Sequence, residues 1–328
     1  MPKFQENVPL RRWSHYKIGG PARFFVSPRN EREVRSAVAE AKKRKLAIFV
    51  LGGGTNLLID DDGFDGLVLR PAIGGIKITR VKKGEYRATA GAGVLMSDLL
   101  DFCVKHSLSG LEWAGGLPGT VGGAIRGNAG CFGGEMKDSI ESVRSFDIGT
   151  MRSVVRAKRA CAFGYRMSAF KKKNGREIIL SATIRLKKGD KKAIAASIRE
   201  KIGHRKENHP LDYPNIGSIF KNVPLAAIRN ERGAAYREAL AAARLAYRGS
   251  RFSVKNDPFP VISAAKLVSE AGLRGVSAGG AMISGKHPNF IVNALDARAE
   301  DVRALIMLAK SAVKRKFAVR LEEEVQIV

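Results

Sequence analysis

"GGLPGTVGGAIRGNAGCFGG", residues 115–134, holds nine glycines in twenty positions and a single charge, Arg126. Glycine loses more backbone freedom on folding than any other residue and weakens helices and strands, so the segment is expected to form little regular structure. Two readings follow: a flexible linker, or bare main chain against which a ligand or another backbone lies closely. The interleaved Leu117, Val121, Ile125 and Phe132 speak against a linker, because linker sequences lack apolar anchors.

A second bare stretch, "GGGTNLL" (52–58), follows the apolar run "LAIFVL" (46–51), which reads as a strand. Three successive glycines expose amide N–H groups, and Thr55 and Asn56 add donors, as in a phosphate cradle. It is neither a P-loop, whose Gly-Lys-Ser/Thr ending is missing, nor GxGxxG. An ordinary turn explains it equally well when taken alone. Two such loops on one domain suit a dinucleotide pyrophosphate clasped from two sides.

Around these loops the pattern mixes helices and strands without a strict βαβ alternation, which points to an α+β fold. Residues 31–45 place Val34, Val38 and Ala41 at helical spacing, and 94–107 do the same with Leu95, Leu99, Leu100 and Val104. Strands are expected at 66–70, 84–93, 139–148 and 176–187, and a helix at 191–207. "NHPLDYPNIGS" (208–218), with two prolines and turn residues, marks a domain boundary. Beyond it, 224–257 reads as an inserted helix or helix pair and 260–275 as a helix stopped by glycine. Residues 280–293 read as two short strands about a turn, 299–317 as an amphipathic helix, and "VRLEEEVQIV" as a terminal strand.

The chain has 328 residues, room for roughly two or three domains at ~100–200 residues each. Its 58 Lys and Arg against 31 Asp and Glu give a net charge of +27. Such a balance suggests polyanionic partners. The basic residues are scattered, however, with no stripe interleaved with aromatics, so a broadly solvated basic surface is expected rather than a nucleic-acid site. Cys103, Cys131 and Cys161 are odd in number and without metal spacing, and no His/Cys/Asp cluster indicates a metal. The N-terminal "MPKFQENVPLRRWS" lacks an apolar signal core, and no apolar run approaches the ~18 residues of a membrane helix. A soluble protein of a reducing compartment is expected, without a membrane partner.

Three further places carry candidate chemistry. In "FGYRMSAFK" (163–171) Arg166 lies among aromatics, either snorkelling over them or presenting a fork to a carboxylate. In "NIGSIFKN" (215–222) Ser218 follows a glycine outside any G-x-S-x-G context, so a hydrolase nucleophile is not indicated and a local hydrogen bond is the simplest role. In "LEEEV" (321–325) an extended chain puts Glu322 and Glu324 on one face and Glu323 on the other.

In series, "HYKIGGPA" (15–22), "GGGTNLL", "GLPGTVGGAIRGNAG", "FGYR", "GSIFKN", "SEAGLRG", "KHPNFIVN" and "LEEEV" run in order to the last strand. With them the sequence resembles the UDP-N-acetylenolpyruvoylglucosamine reductase (UDP-N-acetylmuramate dehydrogenase) family, in its shorter second type. That resemblance implies an FAD-binding region of vanillyl-alcohol-oxidase (PCMH) type over 1–207, in subdomains of about 1–72 and 73–207. It implies an α+β substrate-binding domain over 208–328, whose terminal strand (318–328) returns to the active site.

The family's FAD contacts would fall on Gly52, Gly53, Gly54, Thr55, Asn56, Leu57, Pro118, Gly119, Thr120, Gly122, Gly123, Ala124, Asn128 and Gly130. NADPH would be the reductant and UDP-N-acetylglucosamine enolpyruvate the substrate, in cytoplasmic peptidoglycan precursor synthesis by a monomer. By the same resemblance Arg166 would bind the substrate carboxylate, Glu324 would assist there, and Ser218 would protonate the enolate. Tyr165, Lys221, Asn222, His287 and Asn289 would contact the substrate. Two rivals are a flavoprotein oxidase or dehydrogenase acting on another sugar or alcohol, and a basic nucleic-acid-binding protein.

Overall fold

The computed structural model of the chain describes residues 3–172, 175–228, 254–256 and 259–328. The fold class is α+β, and the chain divides into two compact units. The first comprises residues 1–9, 21–54 and 64–207; the second comprises 10–20, 55–63 and 208–328. A division at 207/208 therefore needs amending, because two short N-terminal segments fold with the C-terminal part.

In the first unit, a four-stranded sheet runs Gln5–Pro9, Pro21–Val26, Phe64–Leu69, Ile48–Val50. The first pair is antiparallel and the others parallel. The helix Glu31–Lys43 covers it, burying Val34, Ala37, Val38 and Ala41, the stripe legible in the sequence. Asn30 caps this helix by accepting from Glu33 N at 2.9 Å. Acidic residues in its first turn and lysines in its last complement the helix dipole.

A second, antiparallel sheet runs Arg152–Ala157, Ile140–Asp147, Glu177–Lys188, Glu85–Gly91, Ile76–Lys82, with Leu108–Ser109 added on Glu177–Lys188. Its core joins Ala88, Ala90, Ala182 and Ile184 to Leu99 and Cys103 of the helix Met96–His106 and to Ile194 and Ile198 of Lys191–Asn208.

One buried ion pair locks the second sheet. Arg156 donates to both carboxylate oxygens of Glu177 at 2.8 and 2.6 Å, and Ser145 Oγ donates at 2.8 Å. The Glu177 side chain is only 1% exposed. Arg156→Met would remove the guanidinium that holds both oxygens of that buried carboxylate, and a loss of about 3 kcal/mol is expected. Urea unfolding of the apo-protein measures it; a loss well under about 1 kcal/mol would show that the carboxylate is not held by this pair.

The glycine-rich segment differs from expectation, for it contains a helix, Val121–Gly127. Thr120 Oγ1 caps it, accepting from Gly123 N at 3.3 Å. Val121, Ala124 and Ile125 are buried against the sheet. Capping and burial together outweigh the poor intrinsic propensity of three glycines.

The second unit is stitched from distant segments. Tyr16 hydroxyl donates to Ile291 O at 2.7 Å, and Asn293 Nδ2 donates to Tyr16 O at 3.0 Å. Asp61 accepts from Ala299 N at 2.9 Å, capping the helix Ala299–Phe317 from a remote stretch of chain. The strand Gln326–Ile327 pairs in parallel with Leu57–Leu58. Ser277–Ala278, Ala281–Ile283 and Ile291–Asn293 form a small antiparallel sheet.

The segment 260–275 is not one helix: Pro260–Ile262 is a strand, Ser263 caps, and the helix is Ala264–Glu270. Likewise the terminal stretch is regular strand only at Gln326–Ile327, with an isolated bridge between Phe220 and Glu323. Of 224–257, the helix Leu225–Ile228 and the strand Val254–Asn256 are described; the inserted helices expected there lie outside the described residues. No described helix is long and apolar enough to cross a membrane.

Candidate functional site

In the first unit the two glycine loops meet backbone to backbone. A Cβ placed on Gly53 would stand 2.6 Å from Gly119 Cα and 3.3 Å from Thr120 N. One on Gly52 would stand 3.3 Å from Thr120 Oγ1. The second loop is pinned to the sheet edge: Met96 N donates to Gly119 O at 3.0 Å, Val121 N to Val94 O at 2.9 Å and Gly122 N to Ala92 O at 2.9 Å. A Cβ on Gly122 would sit 3.0 Å from Ala92 Cβ, so glycine lets this helix lie on the strand.

Beside the loops opens a narrow cleft, walled by Leu51, Pro71, Phe170 and Ile179 and carrying two charges, Arg126 and Glu177. Glu177 is held by Arg156. Burial pushes the Arg126 guanidinium below its ordinary pKa. Among the described residues no hydrogen bond or ion pair engages that guanidinium. A desolvated cation of this kind favours an anionic ligand. Glycine backbone, apolar walls and one half-buried cation fit a flat aromatic cofactor bearing a diphosphate. Arg126 was not among the residues singled out for binding, though its isolation as the sole charge in 115–134 was a legible signal.

The other expected cofactor residues fall in different surroundings. Pro118 is exposed and Ala124 is buried. Asn128 is fully buried; its Nδ2 donates to Gly164 O at 2.9 Å and its Oδ1 accepts from Lys137 N at 3.0 Å. It thus ties three loops together inside the first unit. Thr55, Asn56 and Leu57 belong to the second unit, where Asn56 Nδ2 donates to Glu324 O at 3.1 Å.

Arg166 sits at φ +53° in a turn closed by reciprocal Gly164–Met167 backbone bonds of 3.0 and 3.1 Å. Its guanidinium stacks 5.3 Å from the Tyr165 ring centroid, and Nη2 donates to Gly130 O at 2.9 Å. The stacking on Tyr165 and the bond to the Gly130 carbonyl together hold the guanidinium in place. Nearby, the Glu135 carboxylate is paired with Lys137, and its Oε1 is buried without a hydrogen bond.

In the second unit, Ser218 is half-buried on an extended segment. Glu324 N donates to Ile219 O at 2.8 Å and Lys221 N to Glu322 O at 2.9 Å, so the Ser218 and Glu324 segments lie side by side. Glu322 pairs with Lys221 at 3.0 Å and Glu323 with Lys310 at 2.7 Å. Asn222 Oδ1 accepts from Ala264 N at 3.2 Å. The His287 ring packs edge-on to Phe290 and His209, with centroids 4.7 and 5.5 Å apart. Asn289, only 3% exposed, directs its amide at the Phe220 backbone.

Comparison with known proteins agrees with both units. Residues 22–150 match the model of an FAD binding domain, and residues 209–328 that of the UDP-N-acetylenolpyruvoylglucosamine reductase C-terminal domain. The chain is 35% identical to the UDP-N-acetylenolpyruvoylglucosamine reductase of Caldanaerobacter subterraneus subsp. tengcongensis, over 99% of this chain and 94% of that one. It is 36% identical to the corresponding protein of Lachnoclostridium phytofermentans, over 98% and 92%. Among solved structures, UDP-N-acetylenolpyruvylglucosamine reductase from Thermus caldophilus aligns with a TM-score of 0.73 at 29% identity, covering 100% of this chain and 99% of that one.

Proposed function

Because the chain belongs to the UDP-N-acetylenolpyruvoylglucosamine reductase family, we propose that it uses FAD and NADPH to reduce the enolpyruvyl ether of UDP-N-acetylglucosamine to UDP-N-acetylmuramate. It is an oxidoreductase with an FAD-binding domain. The reading places it in peptidoglycan precursor synthesis, as a monomer in the cytoplasm.

The bare loops at 52–54 and 119–123, with Arg126, would hold the flavin diphosphate. When bound, the flavin supplies the hydride equivalent taken from NADPH. The chain's own residues then handle charge and protons. Arg166 forks the substrate carboxylate, where negative charge develops as the terminal enol carbon is reduced. Glu324 assists there, protonated or sharing a proton, since a bare carboxylate would repel the enolate. Ser218 Oγ–H gives its proton to the alpha carbon, and the resulting alkoxide regains one from solvent. Tyr165, Lys221, Asn222 and His287 hold the sugar nucleotide.

The observation that supports this reading most directly is the alignment of the Ser218 and Glu324 segments by the Ile219–Glu324 backbone bond. An anaerobic visible spectrum tests it. NADPH is expected to bleach a flavin band, and the enolpyruvyl sugar nucleotide to restore it. A flavin that NADPH reduces but this substrate leaves reduced would overturn the assignment in favour of another flavoprotein activity. Protein that stays colourless after incubation with FAD would remove the flavin reading altogether.

A further inference from the structure

The main chain immediately after Ser218 has four polar groups, and one residue serves three of them. Ile219 N donates to Asn289 O at 2.8 Å. Phe220 N donates to Asn289 Oδ1 at 2.9 Å, and Asn289 Nδ2 donates to Phe220 O at 2.8 Å. The fourth group, Ile219 O, accepts from Glu324 N at 2.8 Å. Ile219 and Phe220 are 0% and 2% exposed, so water offers no substitute partner.

The asparagine amide supplies a donor and an acceptor to one residue's backbone, mimicking a neighbouring strand. Aspartate has the same shape but no donor, and would aim an oxygen at the Phe220 carbonyl. Asn289 is itself carried on a fixed loop. Ser284 Oγ accepts from Lys286 N and His287 N at 3.1 and 3.2 Å, and Ser284 N donates to Phe290 O at 2.9 Å. On the other side of Ser218, Asn215 Oδ1 accepts from Gly217 N at 3.1 Å, and Gly217 turns the chain at φ +82°.

We propose that Asn289 is a positioning residue for the proton-donating step: its amide fixes the Ile219–Phe220 backbone, and so sets Ser218 and Glu324 in register, instead of contacting the sugar nucleotide. This rests on the reading of Ser218 as proton donor given above. It reassigns Asn289 from substrate binding, because both ends of its buried amide are engaged by the protein.

The test uses the flavin-loaded enzyme as wild type, Asn289→Asp, Ser218→Ala and the double variant, with each half-reaction followed by rapid mixing. In Asn289→Asp, flavin reduction by NADPH is expected within about twofold of wild type, with reoxidation by substrate slowed at least about tenfold. The half-saturating substrate concentration should stay within about twofold. The double variant should reoxidise no more slowly than Ser218→Ala alone, since Asn289 acts through Ser218. A raised half-saturating concentration without rate loss would make Asn289 a substrate contact and overturn the proposal. Losses that multiply in the double variant would overturn it too.

Should Ser218→Ala itself turn over normally, the proton-donor reading fails, and the positioning proposal with it. A slow Ser218→Ala beside a normal Asn289→Asp sinks only the latter. If Asn289→Asp does not fold, amide hydrogen exchange of the wild type decides. The Ile219, Phe220 and Glu324 amides are expected among the slowest in their unit, and rapid exchange there would refute the clamp.

Discussion

Ser218→Ala is expected to leave flavin reduction by NADPH at its wild-type rate and to slow reoxidation by the enolpyruvyl sugar nucleotide about 10²–10⁴-fold. The size follows from what is removed: a positioned O–H and nothing larger. Ser218 is half-buried, and the backbone that carries it is held by Asn289 and Glu324, so the truncation leaves those contacts in place. Flavin reduction does not involve a proton from this hydroxyl, so the two half-reactions should separate cleanly. Ser218→Cys sharpens the expectation, because a thiol is a stronger acid than an alcohol and should restore part of the rate. Rapid-mixing absorbance at the flavin band measures all three proteins. Reoxidation of Ser218→Ala within a few-fold of wild type would remove the hydroxyl from the mechanism.

Gly53→Ala should cost the protein its flavin. The added methyl would lie 2.6 Å from Gly119 Cα and 3.2 Å from Gly119 C, well inside contact distance of main-chain atoms that cannot rotate away. The loops must part, and overpacking of this kind costs about 1–3 kcal/mol. Paid from the cofactor site, that is flavin affinity weaker by roughly 5- to 150-fold. Gly127→Ala in the same glycine-rich segment is the control. A Cβ there meets nothing within 4 Å, and alanine is the better helix former. Fluorescence titration of the apo-proteins with FAD distinguishes them. Equal affinities for both variants would mean that the close approach of the loops is not what holds the cofactor.

Those two glycines also show what a sequence can and cannot say. A glycine in open space and one that admits another backbone look the same in one dimension; only the three-dimensional neighbours of Gly127 and Gly53 tell them apart. The helices Glu31–Lys43 and Ala299–Phe317 were legible because their buried stripes repeat within the helix itself. The helix Val121–Gly127 was not, since its stability comes from Thr120 and from the sheet beneath it. The strand Ile76–Lys82 escaped notice for a related reason. It is an edge strand exposed at nearly every position, so no alternation marks it. Of the candidate site, the motif series drew attention to Arg166, Ser218 and Glu324, which stand on structured, hydrogen-bonded backbone. The structural use of Asn128 and Asn289 was hidden, because each partners atoms far away in the chain.

The stitching of the second unit has a consequence in time. Residues 10–20 and 55–63 leave the ribosome long before partners such as Ile291, Asn293 and Val328 are made. At about 5–20 residues per second, the early segments wait on the order of tens of seconds before they can bury Tyr16, Ile18 and Leu58. The first unit has its own cores and is fully synthesised by residue 207, so it is free to fold during that interval. Until the strand Gln326–Ile327 emerges, a nascent chain therefore carries a folded first unit while the apolar side chains of 10–20 and 55–63 lack their native cover. For this chain the order of synthesis, as much as the final contacts, determines how long apolar surface stays open to other molecules.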